Sequence, residues 1–159
     1  MIPVTHSVPD TKHLIVKTPL GNIYHGSDFK FDWTPVGQEL PDIQSMTRAG
    51  AEGVVLLLSD CLRSEKSGYS LSEAIVEDSF EREFRGEPNR LVVTTMSSNI
   101  SRIQQALWVA KRNNRKVAFV GFSVERNVKV ATELGFLSIP PRLVVDKRKM
   151  STLPKDEQC

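Results

Sequence analysis

Three stretches of the chain put chemistry-bearing residues where a fold could use them. In the first, His6 and Asp28 each stand at a junction of strand and loop, separated by a hairpin that can return the chain to the same sheet edge. A neutral imidazole and a carboxylate are suitable donors for zinc or manganese, and a carboxylate can bridge two such ions. Spacing alone leaves the pair open, because a His beside Ser7 and an Asp closing a hairpin also serve as turn and capping residues. His13 and His25 fall inside strand patterns with no fixed ligand spacing to the other candidates. In the second stretch, Asp60 ends the apolar run Val54-Val55-Leu56-Leu57-Leu58, so a strand delivers an acid to its C-terminal end, where open α/β sheets place their sites; a cap or turn role fits equally. In the third, Ser97-Ser98-Asn99 lies between a strand and a helix N-terminus, where backbone N–H groups, two hydroxyls and the helix dipole favour an anion such as phosphate. Ser and Asn are also the best N-caps, so that stretch stays open too. Gly121-Phe122-Ser123 repeats the geometry one strand later and strengthens the case for a shared phosphate-facing edge.

The elements that must position these residues are legible as periods. Residues 13–17 and 22–25 are β-rich runs around Pro19-Leu20-Gly21, which predicts a hairpin. A short amphipathic helix is expected over 41–49, with Ile43, Met46 and Ala49 three apart, followed by a strand at 54–58 whose continuous apolar run calls for cover on both faces. Ser70 and Glu73 are spaced as a capping box for a helix to about residue 85, with Ile75, Val76, Phe80 and Phe84 as its stripe. Then come a strand at 90–96, a helix at 98–113 with Ile100, Ile103, Leu107 and Ala110 inward, a strand at 116–121 and a helix at 123–134 closed by Gly135. Such alternation predicts a parallel sheet, half of a doubly wound unit, over 72–145. Residues 146–159 are polar and aperiodic, an expected tail.

Composition narrows the classes. With 159 residues, 40% hydrophobic and 25% charged, the chain is of ordinary globular type, neither disordered nor fibrous. No apolar run approaches the roughly 20 residues of a membrane span, and the first ten residues lack the pattern of a secretory signal, so the expected compartment is the cytoplasm. Cys61 and Cys159 stand far apart, without the spacing of a metal site or a disulfide framework, which suits a reducing environment. Residues 1–70 carry a net −2 and residues 71–159 a net +4, making the second half the better surface for an anionic partner. Arg102, Lys111, Arg112, Arg115 and Lys116 could track a sugar-phosphate backbone or form a solvated face. Trp33 and Trp108 are expected in a core or interface rather than as base-stacking platforms. There is no phosphate-binding Walker loop, no G-x-G-x-x-G and no nucleophile elbow, which argues against NTPase, kinase, hydride-transfer and serine-hydrolase chemistry.

Longer segments carry a resemblance. Thr5-His6-Ser7-Val8-Pro9-Asp10, Thr18-Pro19-Leu20-Gly21-Asn22-Ile23, Asp28-Phe29-Lys30-Phe31-Asp32 and Thr34-Pro35-Val36-Gly37 together resemble ribonuclease J, a family of metallo-β-lactamase-fold nucleases with an inserted β-CASP domain. Glu52-Gly53-Val54, Leu57-Leu58-Ser59-Asp60, Ser97-Ser98-Asn99-Ile100 with Gln104-Gln105, Gly121 with Ser123, and Glu133-Leu134-Gly135 follow in the family's order, so the resemblance covers about residues 3–137. It implies an α/β chain made of the end of a metallo-β-lactamase sheet segment (residues 1–71) and the first half of a β-CASP domain (72–159). It implies two-metal, usually zinc, hydrolysis of RNA by endonucleolytic and 5′→3′ exonucleolytic cleavage. His6 matches a ligand to one metal, Asp28 the carboxylate bridging both, and Asp60 the acid of the first β-CASP motif. Ser98, Asn99 and Ser123 fall where that domain faces RNA.

The chain departs from the family in carrying no HxHxDH loop before His6 and no histidine after His25. The expectation is therefore an internal slice, inactive alone, prone to associate with itself or with a complementing chain. Gly26-Ser27, Cys61-Leu62-Arg63 and Phe122 are smaller departures, at positions where the family has Thr-Gly, Ser-Thr-Asn and Arg. The rival from another class is a non-catalytic RNA-binding or assembly module. A small-molecule hydrolase of the metallo-β-lactamase fold is disfavoured by the β-CASP-like stretch.

Overall fold

Gly21 closes the hairpin that the turn composition predicts. It holds φ +125°, and a Cβ there would collide with the side chain of Val55, so the position needs glycine. Thr18 Oγ1 donates to Gly21 O at 2.6 Å and clamps the turn. In the computed structural model, which describes residues 1–159, the hairpin strands are β2 (Lys12–Thr18) and β3 (Gly21–His25), in antiparallel register from Leu14↔His25 to Thr18↔Gly21. The chain forms two compact units, Met1–Ser72 and Glu73–Cys159.

The first unit is a four-stranded sheet in chain order. A short β1 (Ile2–Pro3), not anticipated, runs antiparallel to β2, and β4 (Val54–Leu58) runs parallel to β3. Between them α1 (Ile43–Ala51) starts at Asp42, whose carboxylate accepts from Ser45 N–H at 2.9 Å. The expectation that β4 is covered on both faces is corrected: Val55 is 64% exposed and Leu57 62%. A continuous apolar run is buried only between two layers. The unit's one helix buries Ala49 alone, and β4 is an edge strand. Trp33 is likewise exposed rather than core.

The second unit packs α2 (Ala74–Phe84), α3 (Ile100–Arg112) and α4 (Phe122–Glu133) around Phe84, Ile100, Ile103, Leu107, Ala110, Val117, Val128 and Leu137. The expected inward stripe of α3 is fully buried. Gly135 takes φ +79° just past α4, and Phe136 N–H returns to Ala131 O at 2.8 Å. The Ser70/Glu73 capping box does not form: Glu73 is the residue before α2 and makes no side-chain cap bond, its carboxylate instead pairing with Arg102 Nη2 at 2.8 Å.

Two further expectations are corrected. Residues 90–96 are not a strand; they alternate half-buried and exposed in strand period, but their ladder contact is the single bond from Leu91 N–H to Gln158 O. Residues 116–121 hold two isolated parallel bridges, Lys116↔Gln158 and Val117↔Val144. The final residues are not a loose tail: they form α5 (Lys147–Met150) and a 3-10 turn (Lys155–Glu157), and bury Gln158 beside Arg115. Pairing is non-local, so a strand period specifies a face without supplying the neighbour that completes the ladder.

Candidate functional site

The first unit brings three of the anticipated residues to one sheet edge. β1 and β3 both run opposite to β2, and β4 runs with β3, so the segments leaving β1, β3 and β4 emerge on the same side. His6 follows β1, Asp28 follows β3 and Asp60 follows β4. Gly26 N–H donates to Leu58 O at 2.6 Å and ties the exits of β3 and β4 together.

His6 meets Asp28 through a side chain that the sequence reading quoted but gave no role. Thr5 is 2% exposed; its hydroxyl donates to Lys30 O and accepts from Asp32 N–H at 3.3 Å, while its carbonyl accepts from Lys30 N–H at 2.8 Å. This laces residues 28–32 against residues 4–6. Asp32, also buried, pairs with Lys30 Nζ at 3.7 Å and accepts from Thr34 N–H. The result is His6 Nε2 at 3.7 Å from Asp28 Oδ2, with Asp28 open to solvent and His6 partly covered. Ser7 Oγ lies 3.3 Å from the same nitrogen, and Gln38 Nε2 donates to His6 O at 2.7 Å. An imidazole nitrogen and a carboxylate oxygen facing each other suit one divalent cation between them. The chain holds no group of three or more His, Cys, Asp or Glu placed to hold a metal ion. Asp60 turns one oxygen inward to its own loop, accepting from Leu62 N–H at 2.9 Å.

His13, set aside in the sequence, is buried beneath this edge. Its ring packs edge-on to Tyr24 and Phe29, Nδ1 lies 2.8 Å from Tyr24 Oη, and Nε2 is buried without a partner. Burial holds the imidazole below its ordinary pKa and pushes the Tyr24 phenol up. A neutral His13 therefore supports Phe29 next to Asp28. An alternating strand pattern with His at an inward position was the available signal.

In the second unit Asn99 caps α3, its side-chain oxygen accepting from Arg102 N–H at 3.0 Å, and the residue is 6% exposed. Ser98 is half-buried and Ser123 is exposed in the first turn of α4. Asn127, which sequence reasoning missed, donates to Ser97 O at 3.0 Å and joins α4 to the 97–99 turn. Most of the basic residues of this half serve internal contacts. Arg112 pairs with Glu77 and Glu81, Lys116 donates to Arg142 O, and Arg115, 3% exposed, donates to the carbonyls of Glu87, Asn89 and Gln158. They do not form one open cationic track.

The sequence is similar to proteins of known name. A family model described as Ribonuclease J, beta-CASP domain, matches residues 88–159. Ribonuclease J of Thermus thermophilus is 40% identical over 140 residues, covering 88% of this chain and 24% of the relative. Ribonuclease J of Helicobacter pylori is 37% identical over 156 residues, covering 98% of this chain and 22% of the relative. Ribonuclease J 2 of Staphylococcus aureus is 38% identical over 153 residues, covering 96% of this chain and 28% of the relative. The chain thus spans about a quarter of the length of the curated relatives it matches.

Proposed function

Because the chain is related to ribonuclease J over nearly its whole length and carries that family's β-CASP sequence from residue 88, we propose that it supplies part of a metal-dependent ribonuclease. The observation that carries this reading is the pair His6 Nε2 and Asp28 Oδ2, 3.7 Å apart on a shared strand-exit edge. The first unit is read as metallo-β-lactamase sheet. His6 would bind one zinc and Asp28 would bridge two; zinc in such a site supplies a nucleophilic hydroxide and neutralises charge on the phosphate. The chain's own residues position the donors: Thr5 and Asp32 hold Asp28 against His6, and neutral His13 backs Phe29. Asp60 stands on the same edge as a supporting acid. Ser98, Asn99 and Ser123 line the RNA-facing edge of the β-CASP half, with Asn99 acting through the cap it makes for α3. Two donors do not hold a two-metal cluster, so the chain alone neither loads two metals nor cuts RNA. Its working compartment is the cytoplasm, consistent with two free cysteines, and no helix is long and apolar enough to cross a membrane.

Zinc calorimetry and RNA cleavage assays test this. The expected result is at most one weakly held zinc, lost in both His6→Ala and Asp28→Ala, and no hydrolysis of 5′-monophosphorylated RNA until a polypeptide bearing the HxHxDH loop is added. Zinc binding indifferent to both substitutions would refute the ligand assignment. Metal-dependent cleavage by the pure chain would refute its inactivity. A second reading, an assembly or RNA-binding module, draws on the exposed apolar edge strand β4, which offers pairing to another copy or a complementing chain.

A further inference from the structure

α4 turns one side to the core, where Val124, Val128 and Ala131 pack, and leaves the opposite side to solvent. Phe122, Arg126 and Lys129, spaced four and three apart, fall on one line along that outer side. Phe122 is 81% exposed, although an aromatic ring is among the side chains that gain most from burial. Arg126 is exposed and pairs with no carboxylate of the chain, which sets it apart from Arg102 and Arg112. The Lys129 side chain is 76% exposed and reaches Glu133 only at 3.9 Å. Glu125, the one acid in the first two turns of α4, is held by Lys147 at 2.8 Å, so the first half of the line carries uncompensated positive charge. Asn127 donates to Ser97 O at 3.0 Å and lies 3.2 Å from Ser97 Oγ, which fixes this half of the helix beside the 97–99 turn.

We infer that Phe122 is a stacking platform for one base of a single-stranded RNA, with Arg126 and then Lys129 on the phosphates that follow; this rests on the reading that the second unit meets RNA. Recognition of single strands without regard to sequence combines two elements, aromatic faces on which bases stack and cations that track the backbone. α4 supplies both on one rigid line. One helical turn separates the ring from the guanidinium by about 6 Å along the axis, so one nucleotide can set its base on Phe122 and its phosphate against Arg126. The charge beyond the ring fits a polyanion rather than an apolar protein surface, and a duplex is a poor occupant because its bases are already stacked on one another. Phe122 stands where the ribonuclease J pattern has Arg, so the platform is a feature of this chain in particular.

The test is fluorescence anisotropy of a labelled decauridylate with the full chain, repeated over a range of salt concentrations and with an abasic ribose-phosphate strand of the same length. Phe122→Ala should weaken decauridylate binding about tenfold with the salt slope unchanged, because stacking releases no counterions, and Phe122→Tyr, which keeps the ring, should restore it. Arg126→Gln should make the slope of log affinity against log salt shallower by about 0.7, the signature of one lost phosphate contact. On the abasic strand Phe122→Ala should change nothing. Decauridylate binding that is unaffected by Phe122→Ala, or an equal loss on the abasic strand, overturns the platform and leaves the RNA reading of the second unit standing. No binding of decauridylate by the unaltered chain overturns that reading and the platform with it.

Discussion

Replacing Thr5 by Val tests how the His6–Asp28 pair is built. Valine keeps the buried shape of Thr5 and removes the hydroxyl, so the Lys30 carbonyl and the Asp32 N–H are left facing a methyl group. Leaving a buried polar group unpaired costs about 1–3 kcal/mol, so two such groups, one joined by a long bond, give an expected loss of about 2 kcal/mol. For a unit of this size that lowers the melting temperature by about 8–16 °C. Thr5→Ser is the counterpart: it keeps both bonds and loses one buried methyl, about 0.8 kcal/mol. Thermal unfolding by circular dichroism gives the ranking, and amide exchange at Lys30 and Asp32 localises it, with Thr5→Val faster than Thr5→Ser at both. If Thr5→Ser costs as much as Thr5→Val, or neither changes exchange at Lys30 and Asp32, the hydroxyl does not lace the two segments and the account of the site fails.

The other expectations concern protonation and capping. His13 is held neutral by burial, so its folded pKa lies below the ordinary 6.5, and its contribution to stability is present above that value and lost as pH falls through it toward the folded pKa. Denaturant unfolding between pH 7.5 and 5 should show this decline, smaller in His13→Phe; equal slopes in the two proteins would contradict it. Asn99→Ala removes the α3 cap and should cost about 1–2 kcal/mol, whereas Asn99→Asp should restore most of it; a neutral alanine variant would mean the bond to Arg102 N–H contributes nothing.

Legibility of the site followed the range of the interactions involved. The segments around His6 and Asp28 pointed to ribonuclease J, the relation that the comparisons found, because contiguous residue types survive on the page as strings. That His6 stands 3.7 Å from Asp28 was not legible, since it depends on Thr5 reaching 25 residues ahead to Lys30. The role of His13 was hidden for a similar reason: a histidine in a strand pattern becomes a buried neutral ring only once Tyr24 and Phe29 close over it. Arg102, Arg112 and Arg115 looked free as a string, and carboxylates on and just before α2 and distant backbone carbonyls claimed them.

By itself the sequence determined what rests on local period and backbone sterics: the hairpin around residues 19–21, the buried stripe of α3 and the glycine stop after α4. Tertiary structure alone decided which strand patterns became strands. Residues 90–96 alternate in burial and residues 116–121 hold an apolar run, but a ladder needs a neighbour, and the one that begins it comes from residues 157–159, which read as a tail. The apolar run of β4 formed its strand and stayed exposed, because hydrophobicity states a demand for cover that only a second packed layer can meet.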